Sequence, residues 1–133
     1  MLRAVADTHT VIWYLYDDPR LSTTARTAIE SAAADGHQVG CSAITLAEIV
    51  YLVEKGRIHP AAFSRLMSAL DLPGAVLREL PLDRTVASAL PTIDRERVPD
   101  LPDRMIAATA RLYDVPLITR DRQIRTAGLQ TIW

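Results

Sequence analysis

Apolar positions along this chain fall in short runs, separated by longer stretches with helical spacing. Five runs read as strands: LRAVA (2–6), QVGCS (38–42), AVLREL (75–80), VPLIT (115–119) and LQTIW (129–133). Between them the spacing predicts helices near 9–17, 22–34, 43–55, 60–71, 83–91 and 103–113. Gly36, Pro60, the Pro73-Gly74 pair and Pro81 punctuate the pattern where turns are needed. Short apolar strands alternating with amphipathic helices predict an α/β domain around a mainly parallel sheet. Residues 94–102, DRERVPDLP, form the most polar connection, and their prolines hold it out of helix until about residue 102. No repeat or linker interrupts the 133 residues, so a single domain over 1–133 is expected.

Four carboxylates break the pattern. Asp7 follows the first strand, at the edge where open α/β sheets form ligand sites, and it also directly precedes a helix that an Asp would cap. Asp121 follows VPLIT in the same way; a parallel sheet would bring it to the same edge, although Asp is also common in turns. Glu48 lies in SAITLAEIVYLVEKG, a helix apolar almost all round, and shares its i±4 row with Ile44 and Leu52. A buried carboxylate there must take up a proton or find a cation; a salt bridge to an arginine or an exposed helix rim would satisfy it too. Asp103 opens DRMIAATARLY. With a cap at Asp100 it complements the helix dipole, and its row continues into Ala107 and Ala110, small enough to let the helix approach the sheet.

Each acid has a local explanation, so the functional case rests on convergence. Four carboxylates drawn together repel unless a cation neutralises them, and hard oxygen ligands select Mg²⁺ or Mn²⁺. Such a site suits in-line attack of water on a phosphodiester and needs no Ser, His or Cys nucleophile.

Composition narrows the alternatives. The net charge of −1 gives no overall basicity that would argue for nucleic acid. Lys55 is the only lysine among fifteen basic residues, and Arg104, Arg111, Arg120, Arg122 and Arg125 crowd the last third. Guanidinium forks suit phosphate oxygens, while genomic base composition would produce the same bias. Cys41 is the only cysteine, in an apolar setting, so no intramolecular disulfide forms and a structural role is expected. His9, His37 and His59 lack the paired spacing of a zinc site. The densest apolar run, ITLAEIVYLV, is too short to span a bilayer and contains Glu48; with no signal-peptide pattern at the start, a cytoplasmic location is expected. A haloacid-dehalogenase-like phosphatase would want a second Asp where His9 stands. A receiver domain would want adjacent acids at Asp7 and a late lysine, and a nucleotide-binding fold would want clustered glycines.

Taken in order, VADTHTVIW, SAITLAEIV and DLPDRMIAATARLYDVPLITRD resemble a PIN-domain ribonuclease of the VapC-type toxins found in toxin–antitoxin pairs. The likeness spans essentially the whole chain. It implies a three-layer α/β/α sandwich with a mainly parallel five-stranded sheet. It also implies a metal site made by Asp7, Glu48, Asp103 and Asp121, with Thr119 and Thr8 at flanking hydroxyl positions. RNA cleavage with Mg²⁺ or Mn²⁺, a homodimer and a cognate antitoxin follow from the same resemblance; Arg104, Arg120 and Arg122 are the candidate RNA contacts. One departure is that the family's Asp-Pro-x-Asp here reads Asp100-Leu-Pro-Asp103, which leaves the path of loop 96–102 and an accessory role for Asp100 to be decided. The rival expectation from a different class is a catalytically silent PIN-like module that binds RNA or protein. The apolar helices at 9–17 and 43–55 read as core, with exposed stripes for a dimer or antitoxin as the alternative.

Overall fold

The computed structural model describes all residues, Met1–Trp133. Five strands, β1 (Leu2–Ala6), β2 (Gln38–Ser42), β3 (Leu77–Leu80), β4 (Leu117–Ile118) and β5 (Thr131–Ile132), form one sheet in the order β3-β2-β1-β4-β5. Every neighbouring pair is parallel. The chain therefore starts in the centre, winds out through β2 to β3, and returns to the other side of β1. The turning point lies between β1 and β4, whose register sets Val5 opposite Leu117 and Ala6 opposite Ile118. In sheets of this kind, the crevice at that switch point is the natural ligand site.

Side chains alternate along β1 between two cores. Ala4 and Ala6 join Val39, Cys41 and Ile118 beneath Val11, Ile29, Ile49 and Leu66 of α1 (Thr8–Leu15), α2 (Thr23–Ala34), α3 (Ala43–Glu54) and α4 (Ala62–Asp71). Val5 joins Leu80 and Leu117 against Val86, Ile106 and Ile124 of α5 (Arg84–Ala89), α6 (Leu101–Leu112) and α7 (Arg122–Thr126). A strand covered on both faces must be apolar throughout, as the uninterrupted AVA of β1 is. The result is the three-layer α/β/α sandwich. No helix is long and apolar enough to cross a membrane.

The structure differs from the sequence pattern in four places. The 83–91 helix stops at Ala89 and tightens into a 3₁₀ turn over Leu90–Thr92, with Pro91 in its first positions. α6 begins at Leu101 rather than 103, because Pro102 sits in the first turn, where no backbone N–H is needed. The short α7 was not anticipated; it is capped by Asp121 and too brief to show periodicity. Finally, α3 is not enclosed: only Thr45 and Ile49 are buried, and Val50 and Tyr51 are 39% and 53% exposed. Its outer face carries more apolar surface than the sheet can cover.

Gly40 on β2 is closely approached by the Leu80 side chain of β3. A Cβ there would lie 2.4 Å from Leu80 Cδ1 and 3.3 Å from Leu2 Cδ1, and Leu80 is fully buried. Gly40→Ala is expected to lower stability by about 1–3 kcal/mol through overpacking, read from the urea midpoint. A variant as stable as the parent would show that Leu80 can turn aside freely.

Candidate active site

At the β1–β4 switch point the backbone N–H of Asp7 donates to the carbonyl of Ile118 at 3.1 Å. This parallel bond extends the seam one residue past β1 and sets the turns after the two strands side by side. Asp7 then ends β1 in extended conformation and caps α1, its Oδ1 accepting from the Thr10 N–H at 2.9 Å. Across the seam, Thr119 is buried and its Oγ1 accepts from the Asp121 N–H at 3.0 Å, holding the turn that presents Asp121. Asp121 caps α7 through Gln123 N–H at 2.9 Å. Both acids fill the cap or turn role that each position suggested, and both also line one cavity.

That cavity, about 550 Å³, is lined by Asp7, Glu48, Asp100, Asp103 and Asp121, with Thr8, His9, Trp13 and Arg120 completing its wall. Glu48 reaches it from the second turn of α3. Its Oε1 accepts from Thr8 Oγ1 at 2.5 Å, and Thr8 Oγ1 lies 3.0 Å from Thr45 Oγ1. Because the one Thr8 proton goes to the carboxylate, Thr45 is the donor in the second contact. A buried chain of hydroxyls thus orients a half-buried acid, replacing the salt bridge considered from sequence.

Asp100 caps α6, accepting from the Asp103 N–H at 3.1 Å, and Asp103 occupies the first turn. The loop question is thereby answered: moving the proline to 102 keeps it within the first turn and preserves the Asp100 cap. Asp100 is a fifth acid in the cavity wall. Its proximity to Asp103, on one helix start, was visible in the sequence; its share in the cavity was not.

The electrostatics express the crowding. The Asp103 carboxyl is pushed up to about 7, first by burial and then by the charges of Asp100, Glu48, Asp7 and Asp121. Burial also raises Glu48; the Thr8 hydrogen bond opposes this, and Asp100 and Asp7 add to it. A wall with five carboxylates, a hydroxyl and a single imidazole, His9, fits a hard divalent cation better than a soft one. No three of its side chains stand as a ready ligand group around one point.

The candidate arginines divide. Arg120 lines the acidic cavity, with its guanidinium 4.7 Å over the Trp13 ring. Arg122 lines an adjoining cavity. Arg104 stands apart: its Nη2 donates to the Leu90 and Ile93 carbonyls at 2.9 and 3.1 Å, so it braces the 3₁₀ turn and lines neither cavity. Being one residue after Asp103 turns it about 100° around the helix, away from the site. Thr119 lines the adjoining cavity rather than the acidic one. His9 and Trp13, one helical turn apart on α1, were not singled out. Only the helix direction from Asp7 could have placed them in the wall.

Comparison with known proteins agrees with this fold. The PIN domain family matches residues 4–129. Ribonuclease VapC22 of Mycobacterium tuberculosis is 29% identical over 126 residues, covering 95% of this chain and 92% of the relative. A toxin–antitoxin complex from Klebsiella pneumoniae contains a chain 26% identical, with TM-score 0.58 and coverage of 89% of this chain and 86% of that one. VapBC2 from Rickettsia felis, bound to a promoter DNA fragment, is 18% identical with TM-score 0.73 over 98% of this chain and 97% of that one, a likeness of fold.

The raised Asp103 carboxyl has a consequence whose sign is fixed. Between the ordinary Asp range and about 7 the folded chain binds a proton that the unfolded chain lacks, so stability falls as pH rises through that window. In EDTA, the thermal midpoint is expected to be roughly a few degrees higher at pH 5.5 than at pH 7.5. Asp103→Asn is expected to raise the pH 7.5 midpoint and flatten the profile, since the helix-cap bond uses the Asp103 backbone N–H and not its carboxyl. A lowered midpoint with an unchanged slope would show that repulsion is not what governs the apo site.

Proposed function

The chain belongs to the PIN-domain family, and from that premise we propose that it is a divalent-metal-dependent endoribonuclease, the toxin of a toxin–antitoxin pair. The observation that carries this reading is the convergence of Asp7, Glu48, Asp103 and Asp121, with Asp100, on one cavity at the switch point of the sheet. The name of the relative from Mycobacterium tuberculosis supports RNA as substrate, and the complex from Klebsiella pneumoniae supports an antitoxin as partner. A cytoplasmic homodimer completes the reading, on family grounds.

Asp7, Glu48, Asp103 and Asp121 would hold Mg²⁺ or Mn²⁺. When bound, the ion supplies positive charge at the scissile phosphate and makes water a better nucleophile near neutral pH. The chain's own residues prepare the place. Thr8, itself held by Thr45, fixes the Glu48 carboxylate in one orientation. Thr119 fixes the turn that carries Asp121, acting as a positioning residue through its hydroxyl. The caps at Asp7, Asp100 and Asp121 each take one carboxylate oxygen for a backbone N–H, and no protein donor bonds the other. Arg120, at the rim, offers a permanent cation to a phosphate approaching an otherwise acidic cavity. No Ser or Cys lines the cavity, so the wall holds no covalent nucleophile of that type.

The test is cleavage of single-stranded RNA by the chain freed of any antitoxin, with Mg²⁺ or Mn²⁺ and with EDTA as control. Asp7→Asn is expected to reduce the rate on the order of 10²-fold or more while remaining folded. Cleavage that persists in EDTA, or an Asn variant as active as the parent, would refute the mechanism. RNA binding with no hydrolysis under any metal would instead favour the silent binding module.

A further inference from the structure

Beside the acidic cavity lies a second one of about 320 Å³, and the two share Arg120 and Asp121 in their walls. Its character is opposite. Arg120, Arg122 and Arg125 line it with the Thr131 hydroxyl and the Trp133 indole, against the single acid Asp121. None of these guanidiniums has a carboxylate within ion-pair distance; the four ion pairs of the molecule are Arg3–Asp35, Arg20–Asp18, Arg26–Asp17 and Arg97–Asp94. Arg125 donates from Nε to Thr131 Oγ1 at 3.0 Å, which fixes the guanidinium in the wall. Three permanent cations without a carboxylate partner, gathered in one wall, offer a place for an anion.

The aromatic groups nearby are used differently. Trp13 is buried, with Arg20 at 5.2 Å and Arg120 at 4.7 Å over its ring, His9 tilted against it, and Trp133 edge-on at 5.8 Å. It is a pillar that supports Arg120 and Trp133. Trp133 is only half-buried and lines the basic cavity, so its indole is available to a planar ligand. A polyanion that presents phosphates at regular intervals, with a flat base beside each, matches guanidiniums next to an indole.

The geometry points to the second cavity as the subsite for a nucleotide flanking the cleaved bond: its phosphate on Arg120, Arg122 and Arg125, its base against Trp133. This rests on the ribonuclease reading and adds to it the path of the strand, from the acidic cavity across Arg120 toward the β5 edge. The subsite selects single strands, because a base paired in a duplex could not turn its face to Trp133.

Two perturbations, one on each partner, test the contact. Arg122 is exposed and makes no hydrogen bond or ion pair to lose, so Arg122→Gln leaves the fold intact. On a short single-stranded RNA it is expected to raise KM about tenfold, with kcat changed far less, and to lower the salt slope of binding by about one. Binding is read by anisotropy in the Asp7→Asn background, so that it does not depend on turnover. Replacing successive phosphates of the RNA by neutral methylphosphonates should reveal one flanking position whose neutralisation weakens binding as much. In the Arg122→Gln protein that replacement should then cost little further. Trp133→Leu should weaken binding to a base-bearing strand but not to one abasic at the flanking position.

If hydrolysis occurs but Arg122→Gln, Trp133→Leu and every neutral linkage leave KM and the salt slope unchanged, the subsite is wrong and the nuclease stands. If nothing is hydrolysed yet binding shows the same coupling, the subsite stands and the nuclease reading falls. Additive losses from Arg122→Gln and the methylphosphonates would overturn the direct contact. So would Arg122-dependent binding of an acidic peptide by a chain that does not bind RNA.

Discussion

The parallel pairing of β1 with β4 joins the two ends of the chain, and the site exists only where that pairing ends. Asp7 and Asp121 are over a hundred residues apart in sequence. They meet because Val5 and Ala6 register with Leu117 and Ile118, and because one further bond, Asp7 N–H to Ile118 carbonyl, carries the seam past the strand. A strand of two residues holds this alignment only because Leu117 and Ile118 are each sealed in a different core. Packing on both faces thus supplies what so short a ladder cannot. A one-residue slip would exchange the faces of β4 and move Asp121 off the cavity.

Against that frame the carboxylates impose a cost that local structure helps to bear. Like charges gathered in a half-buried cavity raise the energy of the ionised folded state, and the raised Asp103 carboxyl is its mark. Three of the five acids recover part of that cost as helix caps, and Glu48 does so through the Thr8–Thr45 hydroxyl chain. Cap and proposed ligand are therefore not competing explanations of Asp7 or Asp121. A carboxylate has two oxygens, and a helix N-terminus at a sheet edge lets one of them stabilise the fold while the other stays available.

This division explains what could be read from the sequence and what could not. The strand–helix alternation reports burial on two faces, which is a local property of each segment, so the parallel sheet was legible in the pattern, while its three layers were implied by the family resemblance. Asp7 and Asp121 were legible as a pair because parallel order alone sends both strand ends to one edge. Glu48 stood out because it interrupts an apolar helix, but its partner Thr8, forty residues away, carries no signal in spacing. Arg104 lies apart from the cavities for a related reason: adjacency to Asp103 in sequence places it on a different side of α6, where the Leu90 and Ile93 carbonyls take it up. The exposed face of α3 stood only as the alternative to core packing, because apolar composition reports what a helix could bury, and not what the sheet has room to cover.

Net charge hides the arrangement that matters most. A value of −1 says that acids and bases balance, yet the balance is reached by placing an acidic cavity and a basic one side by side with Arg120 and Asp121 at the seam. On the proposed reading, a polyanion would be repelled by the first and held by the second until a cation neutralised the carboxylates. Binding and reaction would then fall to neighbouring places, with the strand held by groups that do not require the ion. Weak overall attraction for nucleic acid then follows from the same sequence that concentrates attraction at one point. A chain arranged in this way would discriminate by where a phosphate can sit relative to Arg120, rather than by how strongly the whole surface draws it in.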